Sequence, residues 1–280
     1  MKFNPQTIAT YPVIKRLGIF VILLLLVWLP LAAPIYLLVA DQNLVTILTL
    51  ILLYLEFVVL LRWWGRRVYQ EPKLMTRYGL EASWVNARLI FQGLGIGVAL
   101  VLGMFIFQGW WGWIVWQAPG QNFLQIILEA LLMSLALGTA EELLFRGWLW
   151  DELRRDYSFR ISLGINVLVF ATLHFLKPLE AMLKSLPQFP GLVLLGLILV
   201  WAKVRSQGRL GLSIGLHAGL VGGYYLINVG NLITYTGIAP DWVTGVGKNP
   251  LAGLVGLGFL GITAGIMRRR HFDPTLKRSI

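Results

Sequence analysis

The sequence predicts an all-α, polytopic membrane protein with eight transmembrane helices and both termini in the cytoplasm, and three observations carry that prediction. Of its 280 residues 57% are hydrophobic and only 13% are charged, far from the balance of a soluble domain. The apolar residues gather into eight runs, most of them long enough to cross a hydrocarbon core. Lys and Arg fall in short blocks between the runs: with the N-terminus inside, all 24 except Lys177, Lys184 and Lys248 lie on the inner side. The net charge of +11 is then a topology signal, and no nucleic acid partner is expected. Without a single cysteine, the chain has no disulfide framework, thiolate metal site or cysteine nucleophile.

The elements follow in order. A polar segment, Met1 to Arg16, precedes a first span, Leu17 to Ala40, which is longer than a signal-peptide core and bent near Pro30 and Pro34. Asp41-Gln-Asn43 turns the chain into a second span, Leu44 to Leu61, with a lone Glu56. The basic connection Arg62 to Arg88 leads to a third, Leu89 to Phe107, after which Trp110, Trp111, Trp113 and Trp116 form an interfacial belt with no Lys or Arg. The fourth begins near Phe123, carries Glu129, reaches Glu141-Glu142 and continues as a more polar helix to Arg154-Arg155. A fifth, Ile161 to Phe175, holds His174, and a proline-containing loop, Lys177 to Pro190, leads to a short sixth, Gly191 to Ala202. The seventh, Leu210 to Val229, holds His217; after the polar segment Gly230 to Pro250, the eighth, Leu251 to Met267, ends at Arg268-Arg269-Arg270. Gly93-Gly95-Gly97 and Gly253-Gly256-Gly258-Gly261-Gly265 predict close helix packing on spans three and eight. No linker separates domains, so residues 1–280 read as one membrane domain.

Ionisable groups inside a bilayer are costly, and their default meaning is a functional site. The stretch Thr139-Ala-Glu141-Glu142-Leu-Leu-Phe-Arg146-Gly147 places two acids and an arginine at the end of a membrane-buried run. Glu142 and Arg146 share a helix face at i and i+4, so the guanidinium can hold one carboxylate in place and leave Glu141 the freer acid, suited to general-base work. A structural ion pair would account for Glu142 and Arg146 but not for Glu141. Of three histidines, His271 sits in a basic tail as a solvated or headgroup-level residue. His174 and His217 fall within spans. Helix rise puts Glu141 roughly 20 Å from Arg154, His174 roughly 21 Å from Arg160 and His217 roughly 12 Å from Arg209, so the three can meet in one pocket open to the cytoplasmic side.

Glu141-Glu142-x-x-x-Arg146, then Phe170-x-x-x-His174, then His217, each on a separate span, resemble the three ordered motifs of the CAAX prenyl protease and bacteriocin-processing family. The resemblance covers roughly Ala130 to Gly223, the core of the chain. It implies an eight-helix intramembrane endopeptidase acting on a membrane-associated peptide, prenylated CAAX-type or otherwise, in the inner (cytoplasmic) membrane. It also implies that Glu141 activates the attacking water, His174 helps hold it, His217 stabilises the oxyanion, and Glu142 and Arg146 support them. Two histidines and a glutamate suit Zn²⁺ as well as direct general-base catalysis, so a zinc metalloprotease using Glu141, His174 and His217 stays open; no other cofactor is expected. One position departs: the third motif usually ends in Asn or Asp, and here it is Val221, with Asn166 and Asn228 offering no obvious replacement. A lost oxyanion donor typically costs about 2.7 to 4 kcal/mol in the barrier. Two other expectations therefore stand beside the protease. One is a non-catalytic member of the same fold acting as a membrane chaperone or partner-binding protein. The other is a proton-coupled transporter using Glu56, Glu129, Glu141 and the histidines, which the clustering on spans four, five and seven disfavours.

Overall fold

The computed structural model describes residues 4–268; His271 and Arg269-Arg270 lie outside the described residues. The chain divides into two compact units, one made of the residues up to Arg77 with Asp151–Ser158, the other of Tyr78–Trp150 with the residues from Phe159 onward.

In the first unit, α1 (Val13–Leu38) runs unbroken through Pro30 and Pro34, and α2 (Gln42–Arg67) starts at Asp41, whose carboxylate accepts the Leu44 amide at 2.9 Å. A single turn, α3 (Leu74–Arg77), follows. Phe20, Phe57 and Trp64 pack edge to face between α1 and α2. Arg16, expected in the polar N-terminal segment, is buried instead, because helix α1 begins three residues earlier and its guanidinium has anionic partners. It bonds Glu152 at 2.8 Å and Asp156 at 3.0 Å. Tyr69 donates to the other Glu152 oxygen at 2.5 Å and lies under the Arg155 guanidinium; burial first, and the Glu152 charge second, hold its phenol above the usual tyrosine range.

The second unit begins with α4 (Trp84–Trp110), capped by Ser83. After it come α5 (Phe123–Glu142), a π-helical turn (Leu143–Leu149) and α6 (Trp150–Asp156), whose last turns belong to the first unit, making one continuous helix of 34 residues. Then follow α7 (Phe159–Leu173), α8 (Leu179–Ser185), α9 (Phe189–Arg205), α10 (Gly211–Val229), α11 (Asp241–Thr244) and α12 (Leu254–Arg268). The predicted loop Lys177 to Pro190 is helical over most of its length, so the short sixth span becomes a 27-residue helical stretch, Leu179–Arg205. One short antiparallel ribbon departs from the all-α expectation: β1 (Ile114–Trp116) pairs with β2 (Ile233–Tyr235), Val115 opposite Thr234, both strands being β-branched or aromatic.

Helix α10 lies at the centre of this unit, and every residue from Gly211 to Gly219 is buried. It packs on α4 backbone to backbone. A Cβ at Gly215 would stand 2.0 Å from the Ile90 carbonyl oxygen, and one at Gly93 or Gly97 would strike the α10 backbone at 2.4 or 2.6 Å. The glycine expectation therefore holds for α4 at two of its three positions, while Gly95 is open, and the partner stripe Gly211, Gly215 and Gly219 belongs to it too. On α12, Gly258, Gly261 and Gly265 meet nothing within 4 Å, so those glycines do not seat a neighbouring helix.

Among the described residues six helical stretches are long and apolar enough to cross a bilayer, not the expected eight. The other two apolar helices, α7 and α12, have 15 residues each, about 22 Å at the usual rise, against a hydrocarbon core of about 30 Å. This is an integral membrane protein.

Candidate active site

The site is assembled from three helices of the second unit. Glu141 and Glu142 end α5, His217 sits midway along α10, and His174 lies one residue past the end of α7. His174 was expected inside a span. The helix instead ends at Leu173, where the chain tightens, the Phe175 amide bonding the Thr172 carbonyl, and His174 Nδ1 donates to the Phe170 carbonyl at 2.8 Å. With its proton on Nδ1, His174 presents the Nε2 lone pair to Glu141.

The two adjacent acids have different surroundings. Glu142 is fully buried, and one of its oxygens accepts from both Arg146 Nη1 at 3.1 Å and His217 Nδ1 at 2.9 Å. Arg146, also fully buried, donates its second terminal nitrogen to the Gly196 carbonyl at 3.3 Å and lies 4.2 Å over the Phe170 ring. Glu141 is about a fifth exposed (22%), and its Oε2 has no hydrogen-bond partner. That oxygen lies 3.8 Å from His174 Nε2 and 3.9 Å from His217 Nε2, too far for direct bonds and close enough for both rings to face one point. The structure thus brings Glu141, Glu142, Arg146, His174 and His217 together. Phe170 fills the space between them, edge to face with His174 at 4.6 Å, His217 at 6.3 Å and Phe145 at 5.1 Å.

Three features were not foreseen. Arg146 sits in a π-helical turn, not an α-helical one, although its pair with Glu142 forms as expected. Lys203, counted among the basic residues of an inner loop, is buried and donates to the carbonyls of Arg146 at 2.5 Å and Tyr78 at 3.0 Å. Asn166, first considered as a stand-in for the missing amide at Val221, is also buried, and its side chain donates to the Phe145 carbonyl at 2.7 Å. Asn228 bonds the Tyr224 carbonyl, one turn back on its own helix. Val221 itself lines a cavity of about 170 Å³ with Leu195, Leu220, Met104 and Phe259, one helical turn beyond His217.

The zinc expectation finds no support in the arrangement. Among the described residues no group of three His, Cys, Asp or Glu side chains is placed to hold a metal ion.

Fold and site together define a helical integral membrane protein with a buried carboxylate and histidine centre. Within that class, residues 122–222 match the Rce1-like family model, described as type II CAAX prenyl endopeptidase Rce1-like. The match runs from the start of α5 into α10 and contains all five site residues, in agreement with the resemblance carried by the three motifs. No curated protein and no solved structure matches the chain.

Proposed function

We propose that this protein is an intramembrane endopeptidase in which Glu141 activates the attacking water. The observation that carries the reading is the Glu141 Oε2 atom, unbonded, with the Nε2 atoms of His174 and His217 both within 4 Å. A water bridging that oxygen and the His174 lone pair would donate a proton to each, and its oxygen would be aimed by them. His217 would stabilise the oxyanion from Nε2, which requires a proton on each ring nitrogen. Glu142 orients the ring by accepting a hydrogen bond from Nδ1, while Arg146 fixes Glu142. The apolar cavity at Val221 offers room for an aliphatic substrate group.

The substrate class is a membrane-anchored peptide, and a prenylated CAAX-type peptide is the first candidate given the Rce1-like match. We place the protein in the inner (cytoplasmic) membrane, with both termini and the site opening on the cytoplasmic side, because the basic residues collect there. Detergent-purified protein should cleave at least one of a panel of membrane-anchored peptides that includes a farnesylated CAAX peptide. Glu141→Gln should lower turnover by about 10²- to 10⁴-fold, and His174→Ala should lower it too. Activity should survive a chelator; loss restored by Zn²⁺ would assign a metal instead. Silence across the panel from a folded protein would favour a non-catalytic, partner-binding role, which Val221 in place of a polar residue independently supports.

A further inference from the structure

We infer that Lys203 and Asn166 are positioning residues that hold the π-helical turn of the site in register. For its kinetics this inference rests on the protease reading above.

π-Helical turns are rare, occur mostly as single turns within α-helices and cluster at functional sites. Here the turn Leu143–Leu149 begins directly after Glu142, and two successive carbonyls within it are taken by side chains from other helices. Asn166 on α7 donates to Phe145 O and Lys203 on α9 donates to Arg146 O. Both donors are buried, so neither bond competes with water, and the lysine bond is charge-assisted. Helix α9 therefore grips one residue at two points: Gly196 O accepts from the Arg146 side chain, and Lys203, two turns later, bonds its main chain. Through Arg146 the grip reaches Glu142, and through Glu142 it reaches His217. Asn166 and Lys203 both act on the main chain of the motif, at Phe145 O and Arg146 O, and it is through that backbone that they position its side chains.

The test uses the full chain in detergent with a farnesylated CAAX peptide as probe. Lys203→Met keeps the length of the stem and removes the ammonium; Lys203→Arg restores a cation. We expect Lys203→Met to lower kcat at least about tenfold with KM changed less than about twofold, and Lys203→Arg to recover most of it. Hydrogen exchange should quicken at residues 143–151 in Lys203→Met and stay unchanged across the α4 and α10 contact. Unchanged kcat and exchange would overturn the inference, as would quickened exchange throughout with a fall in melting temperature, since that marks a merely structural lysine. If the wild type cleaves nothing, the protease reading fails while the exchange comparison still decides the clamp. If Lys203→Met does not fold, Asn166→Leu removes the other donor and is read by the same local exchange.

Discussion

At residue 221 a polar side chain would be expected by the resemblance, and the structure puts valine against an apolar cavity one turn from His217. Two opposing effects follow for Val221→Asn. A new donor near the oxyanion should raise kcat, by at least about tenfold if it reaches the position such donors normally fill. Burying an amide without assured partners costs about 1–3 kcal/mol, so the melting temperature should fall. Turnover and thermal melting of one sample separate the two, and an unchanged kcat would mean that His217 serves the oxyanion alone. At this scale the sequence was legible for the five residues of the site, since each is an ionisable group in an apolar run or a close neighbour of one. Lys203 was not, because a lysine near the end of an apolar run carries the same signature whether it turns outward or inward. Only the carbonyls of Arg146, in the π-helical turn, and of Tyr78, ahead of α4, decide the matter.

At the scale of the element, α10 shows how His217 is held. Its glycines bring it against the α4 backbone, so the imidazole is carried on a helix whose position is fixed by main-chain contact. Gly215→Ala, with its Cβ 2.0 Å from Ile90 O, should part the two helices and lower stability by about 1–3 kcal/mol or more. Gly261→Ala on α12, where nothing lies within 4 Å, should stay within about 0.5 kcal/mol of wild type. Thermal melting in detergent ranks the pair. Small residues at helical spacing predict close packing in general, and both stripes read alike in the sequence. The difference arises because the α4 stripe finds a second glycine stripe opposite, and three of the α12 glycines meet no neighbour.

For the whole molecule, the charge pattern and the helix lengths point to different numbers of crossings. Basic residues sort cleanly to one side only if all eight apolar helices cross, yet α7 and α12 are short for the purpose. Helix α7 is the one to test, since Arg160 precedes most of it and Lys177 lies just past its end. The chain is free of cysteine, so single substitutions report without background. In intact cells a membrane-impermeant maleimide should label Lys177→Cys and spare Arg160→Cys until the membrane is opened; equal labelling would show that α7 does not cross. Hydropathy made the apolar helices legible in order, because a bilayer demands length and composition that few other settings require. The ribbon of β1 and β2 was not legible: three-residue strands leave no periodicity to read.

The wide turn after Glu142 has one more implication, for the length of the chain there. A π-helical turn accommodates one residue more than an α-helix does over the same path, so losing any one residue between 143 and 149 would let the segment close into ordinary helix with its backbone bonds intact. A loss at 143, 144 or 145 would also cut the Glu142–Arg146 spacing from four residues to three, a change of about 100° about the helix axis. Helicity and chemistry thus ask for different spacings at this point. Of the two, this chain has the spacing that seats Arg146 beside Glu142.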